Sequence, residues 1–188
     1  MELNTLRDLY VHELKDIYSA EKQILKALPK IIQKATEEEL KNALESHRQI
    51  TEQQVGRLEE IFSELDESTT FRQKCKGMEG LLEEGSDFLK EDAPEGIMDA
   101  GIIGAAQRVE HYEIAAYGTA IAFARQLGED QAVRLLEQTL EEEKEADEKL
   151  TEIAESSINL EAAGEGEEEE TAPRMGASGS RKRSGSSR

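Results

Sequence analysis

The 188-residue chain has no tryptophan, a single cysteine and only three prolines, and aromatic residues make up 4% of it. With Cys75 alone, no internal disulfide can form, and a reduced, cytoplasmic setting is expected. The scarcity of proline and aromatics leaves a mixture of Ala, Glu, Lys, Leu and Arg, which favours helices over strands. No stretch approaches the roughly 18 apolar residues of a membrane span. The opening Met1-Glu2-Leu3-Asn4 lacks the basic and apolar blocks of a secretory signal. Positive charge is also short, since 23 Lys and Arg face 42 Asp and Glu for a net charge of −19. A core of that sign repels phosphates, so no nucleic acid is expected on it.

What the chain does have is helical periodicity. Leu6, Leu9, Leu14, Ile17, Ile24, Leu28 and Ile31 recur at steps of three and four, predicting a first helix from about Asn4 to Ala35. Pro29 should kink its last turns. Thr36-Glu37-Glu38-Glu39 reads as a capping box for a second helix, whose stripe is Leu40, Leu44, Val55, Leu58, Ile61 and Leu65. A third begins near Asp92-Ala93-Pro94-Glu95 and runs to the C′ glycine Gly128. Glu129-Asp130 opens a fourth, carrying Val133, Leu136, Leu140, Leu150 and Ile153. Between the two hairpins, Asp66 to Asp92 is too long for a turn and should hold a short helix around Lys76–Leu89. Two antiparallel hairpins joined by one long crossover make an all-α, ferritin-like four-helix bundle.

Residues 1–160 form this domain, and residues 161–188 read as a disordered tail, acidic and then basic. The run Glu165 to Glu170 and the Gly, Ser and Arg of the end show no apolar period. The Arg181-Lys182-Arg183 cluster reads as solvated charge.

The buried stripes are interrupted at mid-height by polar residues, where burial is expensive unless they are paired. Glu21 interrupts the first helix, and His47, Thr51 and Gln54 the second, with Glu52 on its flank. Gln107, Glu110, His111 and Glu113 interrupt the third, and Glu143 and Asp147 the fourth. Counted from their helix starts at ~1.5 Å per residue, Glu21, Glu52, Glu110 and Glu143 fall within about one turn of each other. Carboxylates brought to one height repel unless they are protonated, paired or sharing cations. Glu21, His47, Glu52, Glu110, Glu113, Glu143 and Asp147 are therefore the candidate ligands of a di-metal site, with iron or manganese suited to so carboxylate-rich a set. The usual Glu-x-x-His pairs of di-iron bundles are absent from the second and fourth helices. Cys75 has no designated base and reads as a packing residue, while Gly77 and Gly80 form no phosphate loop.

Several stretches together resemble the YciE/YciF family of ferritin-like bacterial proteins. These are Leu9-Tyr-Val-His-Glu-Leu-Lys-Asp-Ile-Tyr-Ser-Ala-Glu21 with Leu28-Pro29-Lys30, and then His47, Thr51-Glu52, Gln54 and Arg57-Leu58-Glu59. Cys75-Lys-Gly-Met78-Glu-Gly80 follows in the crossover, Gln107-Arg-Val-Glu-His-Tyr-Glu113 with Tyr117-Gly118 on the third helix, and Thr139-Leu140 through Asp147 on the fourth. The resemblance spans about residues 3–158. It implies a homodimeric bundle linked to stress responses, without fixing a reaction. Family members often carry an acid where Ile50 stands, which would leave this chain one ligand short.

Two functions follow as expectations. One is a metal protein of the stress response with an oxidase or peroxide-scavenging role. The other is a metal-free structural bundle acting through dimerisation or partner binding. Storage of iron in a cage has no signal in the sequence.

Overall fold

Helix α1 (Leu6–Lys34) starts where Thr5 caps it: the Thr5 hydroxyl accepts from the Asp8 N–H at 3.1 Å, and the Asp8 carboxylate accepts from the Thr5 N–H at 2.8 Å. The helix continues unbroken through Pro29, whose exposed position keeps the ring off the core. In the computed structural model, which describes residues 3–164, four further helices follow. They are α2 (Glu38–Glu64), α3 (Lys76–Phe88), α4 (Glu95–Leu127) and α5 (Asp130–Ile153).

The start of α2 differs from the expected capping box. Glu37 is the cap and accepts from the Leu40 N–H at 2.6 Å. Thr36 is instead drawn to Asp99 of α4, donating its backbone N–H at 2.9 Å and its hydroxyl at 2.6 Å. A buried carboxylate from across the fold outcompetes the local partner.

Cys75 caps α3, its sulfur accepting from the Met78 N–H at 3.3 Å. Gly128 ends α4 in the left-handed conformation, with φ of 77°, which costs a glycine little. Beyond α5 a single π-turn, Ala154–Ile158, passes into helix that continues to residue 164. The first four residues assigned to the tail, 161–164, are thus helical, and the rest of that tail lies outside the described residues.

Helices α1 and α2 form one hairpin and α4 and α5 the other, with α1 packed on α4 and α2 on α5. The crossover helix α3 lies against α1 and α4. Its approach to α4 needs Gly101, where a Cβ would come within 2.0 Å of the Phe88 ring. This is the ferritin-like arrangement predicted from the stripes.

The apolar interior comes in two blocks. One gathers Ile24, Leu28, Leu40, Leu44, Ile102 and Ile153, and the other Leu14, Ile17, Leu58, Phe62, Tyr117 and Leu136. Along each of the four long helices the residues separating these blocks are polar and buried: Glu21, His47, Thr51, Gln54, Glu110, Glu113, Thr139 and Glu143.

Candidate metal centre

Each long helix delivers its part of the polar layer from the face that carries its apolar stripe. On α2, His47 lies on the same stripe as Leu40, Leu44 and Leu58, and the Thr51 hydroxyl donates to the His47 carbonyl at 2.9 Å. On α4, Glu110 and Glu113 are one turn apart and both buried. Glu143 comes from α5 and Glu21 from α1, each with no exposed surface.

His47, Glu110, Glu113 and Glu143 converge, each offering one ligand atom, all within 4.8 Å of one another. His47 Nε2 is 3.6 Å from Glu110 Oε1. Glu21 completes the layer, accepting a short hydrogen bond from the Tyr117 hydroxyl and lying within hydrogen-bonding reach of Glu113. Glu110 and Glu143 stand in the same relation to each other.

Burial is the main cause that pushes all four carboxyls above their ordinary range, and mutual repulsion adds to it. Glu110 is raised to about 7, while Glu21, Glu113 and Glu143 are raised well above the usual glutamate value. Burial pushes His47 down, against the pull of Glu143 and Glu142, which leaves it neutral near pH 7 with one ring nitrogen free to act as a ligand.

A second set of groups braces the layer. Gln54 Nε2 donates to Glu143 Oε1 at 2.5 Å and to Glu142 Oε2 at 3.2 Å. Arg57 clasps Glu142 with both guanidinium nitrogens, at 2.7 and 2.6 Å, and donates to Thr139 Oγ1 at 2.7 Å. Burial alone would raise Glu142, but the bonds from Arg57, Gln138 and Gln54 outweigh it and hold that carboxyl below its usual value.

Even so, Glu21 Oε2, Glu110 Oε2, Glu113 Oε1, Glu143 Oε2 and His47 Nδ1 are buried without a hydrogen-bond partner among the described residues. Buried polar atoms are normally satisfied, so this concentration of lone pairs calls for a positive charge or protons between them. Hard oxygen donors with one imidazole and no thiolate fit a cation such as iron or manganese.

Two candidate ligands from the sequence, Glu52 and Asp147, stand outside the converging set of donors. The Glu52 side chain is 56% exposed and pairs with Arg48 at 3.2 Å. It is five residues from His47, roughly 140° around a helix that turns ~100° per residue, so it shares the height and not the face. Asp147 sits at the edge of the layer, where its carboxylate is 3.3 Å from His111 Nε2 and accepts from Gln107 at 3.1 Å. His111 itself is 68% exposed and takes no part in the Glu110–Glu143 contact. The bracing roles of Tyr117, Arg57 and Glu142 escaped the sequence reading. Arg57 stands three residues after Gln54, and that spacing was the available signal.

The chain matches known proteins over nearly all of the described region. A family model described as a domain of unknown function (DUF892) covers residues 5–163. Protein YciF of Escherichia coli is 41% identical over 162 residues, which span 86% of this chain and 98% of that one. The crystal structure of the E. coli stress protein YciF superposes with a TM-score of 0.80 at 42% identity, covering 84% of this chain and 99% of that one. YcfI of Rhodopseudomonas palustris, provisionally described as a structural protein, gives a TM-score of 0.77 at 45% identity over 80% of this chain and 95% of that one. The chain belongs to the DUF892 family and, with it, to the YciE/YciF family of ferritin-like bacterial stress proteins.

Proposed function

We propose that the chain is a stress-response metal protein whose bundle core binds iron or manganese, with His47, Glu110, Glu113 and Glu143 as principal ligands and Glu21 beside them. The observation that carries this reading is the convergence of those four donors within 4.8 Å, with unpartnered oxygens turned into the layer. Iron or manganese held there would supply redox chemistry toward oxygen or peroxide, an oxidase or scavenging role in keeping with the stress association of YciF. The chain's own contribution is to hold the donors, through Tyr117, Gln54 and the Arg57–Glu142 clasp, and to seal the layer between two apolar blocks. Asp147 remains in this reading as an outer carboxylate acting on Glu110 through its field. The resemblance to the family supports a cytoplasmic homodimer, which light scattering on the purified full chain would check.

Metal per chain after anaerobic reconstitution tests the proposal. One or two ions should bind, and Glu110→Ala combined with Glu143→Ala should abolish binding. Unchanged metal content in that variant would sink the reading.

A metal-free structural bundle is the second reading, favoured by the bonds that already close part of the layer, Tyr117 to Glu21 and Gln54 to Glu143. It calls for no stoichiometric metal and for Glu21, Glu110, Glu113 and Glu143 to be held largely protonated.

A further inference from the structure

A cavity of about 360 Å³ opens between α2 and α5, and its inner wall includes His47 and Glu110. Both residues are nine-tenths or more buried, and His47 Nδ1 and Glu110 Oε2 have no hydrogen-bond partner among the described residues. The wall also carries apolar side chains, Leu44, Ile50 and Leu150. The mouth carries Glu39, Glu142 and Glu145 against one cation, Lys149. Lys149 is tied across the opening to Glu39 at 2.6 Å, and Glu142 is held by Arg57, while Glu145 makes no hydrogen bond or ion pair among the described residues. A larger cavity of about 490 Å³, between α1, α3 and α4, has none of the centre's donors in its wall, which bears Lys26, Lys30 and Lys74 together with Glu79 and Glu83.

We propose that the α2/α5 cleft is the port through which a hydrated divalent cation reaches the His47–Glu110 side of the centre. This rests on the metal-binding reading above and adds the route and the residues that set the rate. Six waters at ~30 Å³ each occupy roughly 180 Å³, so an aquated ion fits the cavity before shedding its shell to the donors. The acidic mouth concentrates cations and repels anions, and the ion's waters are exchanged for the carboxylate and imidazole donors at the inner wall. The cavity between α1, α3 and α4 has mixed charge and reaches none of the centre's donors.

The test is stopped-flow uptake of Mn²⁺ by the full chain, followed with a competing chelator dye, together with final stoichiometry. Glu145→Lys should slow uptake about 5- to 10-fold at low salt, and the difference should shrink below about twofold near 0.5 M salt, where screening is strong. Ile50→Trp should slow uptake at least about tenfold at every salt concentration without changing the final stoichiometry, because the larger side chain fills the cleft it lines. Lys26→Glu, which adds negative charge at the other cavity, should leave the rate unchanged. Wild-type rates in Glu145→Lys at low salt would overturn the port even if Ile50→Trp failed to fold, as would acceleration by Lys26→Glu. A wild-type chain that takes up no Mn²⁺ and no Fe²⁺ would overturn the metal-binding reading, and the port with it.

Discussion

Asp99 on α4 holds Thr36 at the head of α2 from 63 residues away, accepting from both its backbone N–H and its hydroxyl. The same carboxylate takes the Glu37 N–H at 2.8 Å, so one buried side chain, 2% exposed, closes three donors at a helix start. Asp99→Ala should therefore destabilise the fold by about 2–4 kcal/mol, the range for losing charged hydrogen bonds at a buried cap. Urea unfolding measures it, and a loss below about 0.5 kcal/mol would contradict the role.

Glu143→Gln should separate the needs of the site from those of the fold. Glutamine keeps an acceptor for Gln54 and gains a permanent donor toward Glu110, and it removes a carboxyl that burial disfavours in its charged form. In metal-free protein the melting temperature should rise by a few degrees, while metal content should fall. A variant that melts lower than wild type without metal would show that the carboxyl is not a strained element.

The pH dependence of metal-free protein has a definite sign. The groups facing one another across the layer are Glu21 from α1, His47 with Arg57 from α2, Glu110, Glu113 and Tyr117 from α4, and Glu142, Glu143 and Asp147 from α5. Carboxyls raised in the fold bind protons there that the unfolded chain has already released, so stability falls as pH rises from about 4.5 upward. Glu110 accounts for the part of that loss complete near pH 7, and the other three, raised well above the usual glutamate value by burial, add to it in the same sense. His47 is lowered and works in the opposite sense below its ordinary value of 6.5, but four carboxyls outweigh one imidazole. Tyr117 is raised and stays protonated throughout. Thermal melts between pH 5 and 8 with chelator present should show a falling melting temperature, and a steady rise would refute the assignment.

Glu52→Ala should change stability by no more than about 0.5 kcal/mol and leave metal content as it is, because an exposed pair with Arg48 is all that is lost. Reduced metal in this variant would put Glu52 back among the ligands.

These cases show how far the sequence could be read. The bundle, its hairpins and the crossover helix were legible because each long helix repeats its apolar stripe often enough to average out local ambiguity. Height along a helix was legible too, since rise per residue is fixed. Azimuth near a stripe's edge was less so. Glu52 and His111 each lie about a quarter turn or more from a buried neighbour, and that is enough to place them in solvent. Contacts between helices were hidden altogether. Thr36 has an adequate local partner in the sequence, and only the packing of α4 against the α1–α2 turn brings Asp99 to it.

The polar layer that divides the apolar interior also bears on how the bundle comes apart. Four helices run continuously through both blocks, and among the described residues the hydrophobic contact that spans the two is the half-buried ring of Tyr112, which packs against each. Without an ion, the two ends are coupled through backbone continuity, the Tyr112 ring and a belt of proton-sharing side chains, and each can open with some independence. An ion gripped by α2, α4 and α5 at once makes the belt a fastener, so that loosening either end requires breaking its ligation. Amide exchange should then report one cooperative unit where there had been two, and ligand occupancy would be felt as a change in cooperativity along the whole length of the bundle.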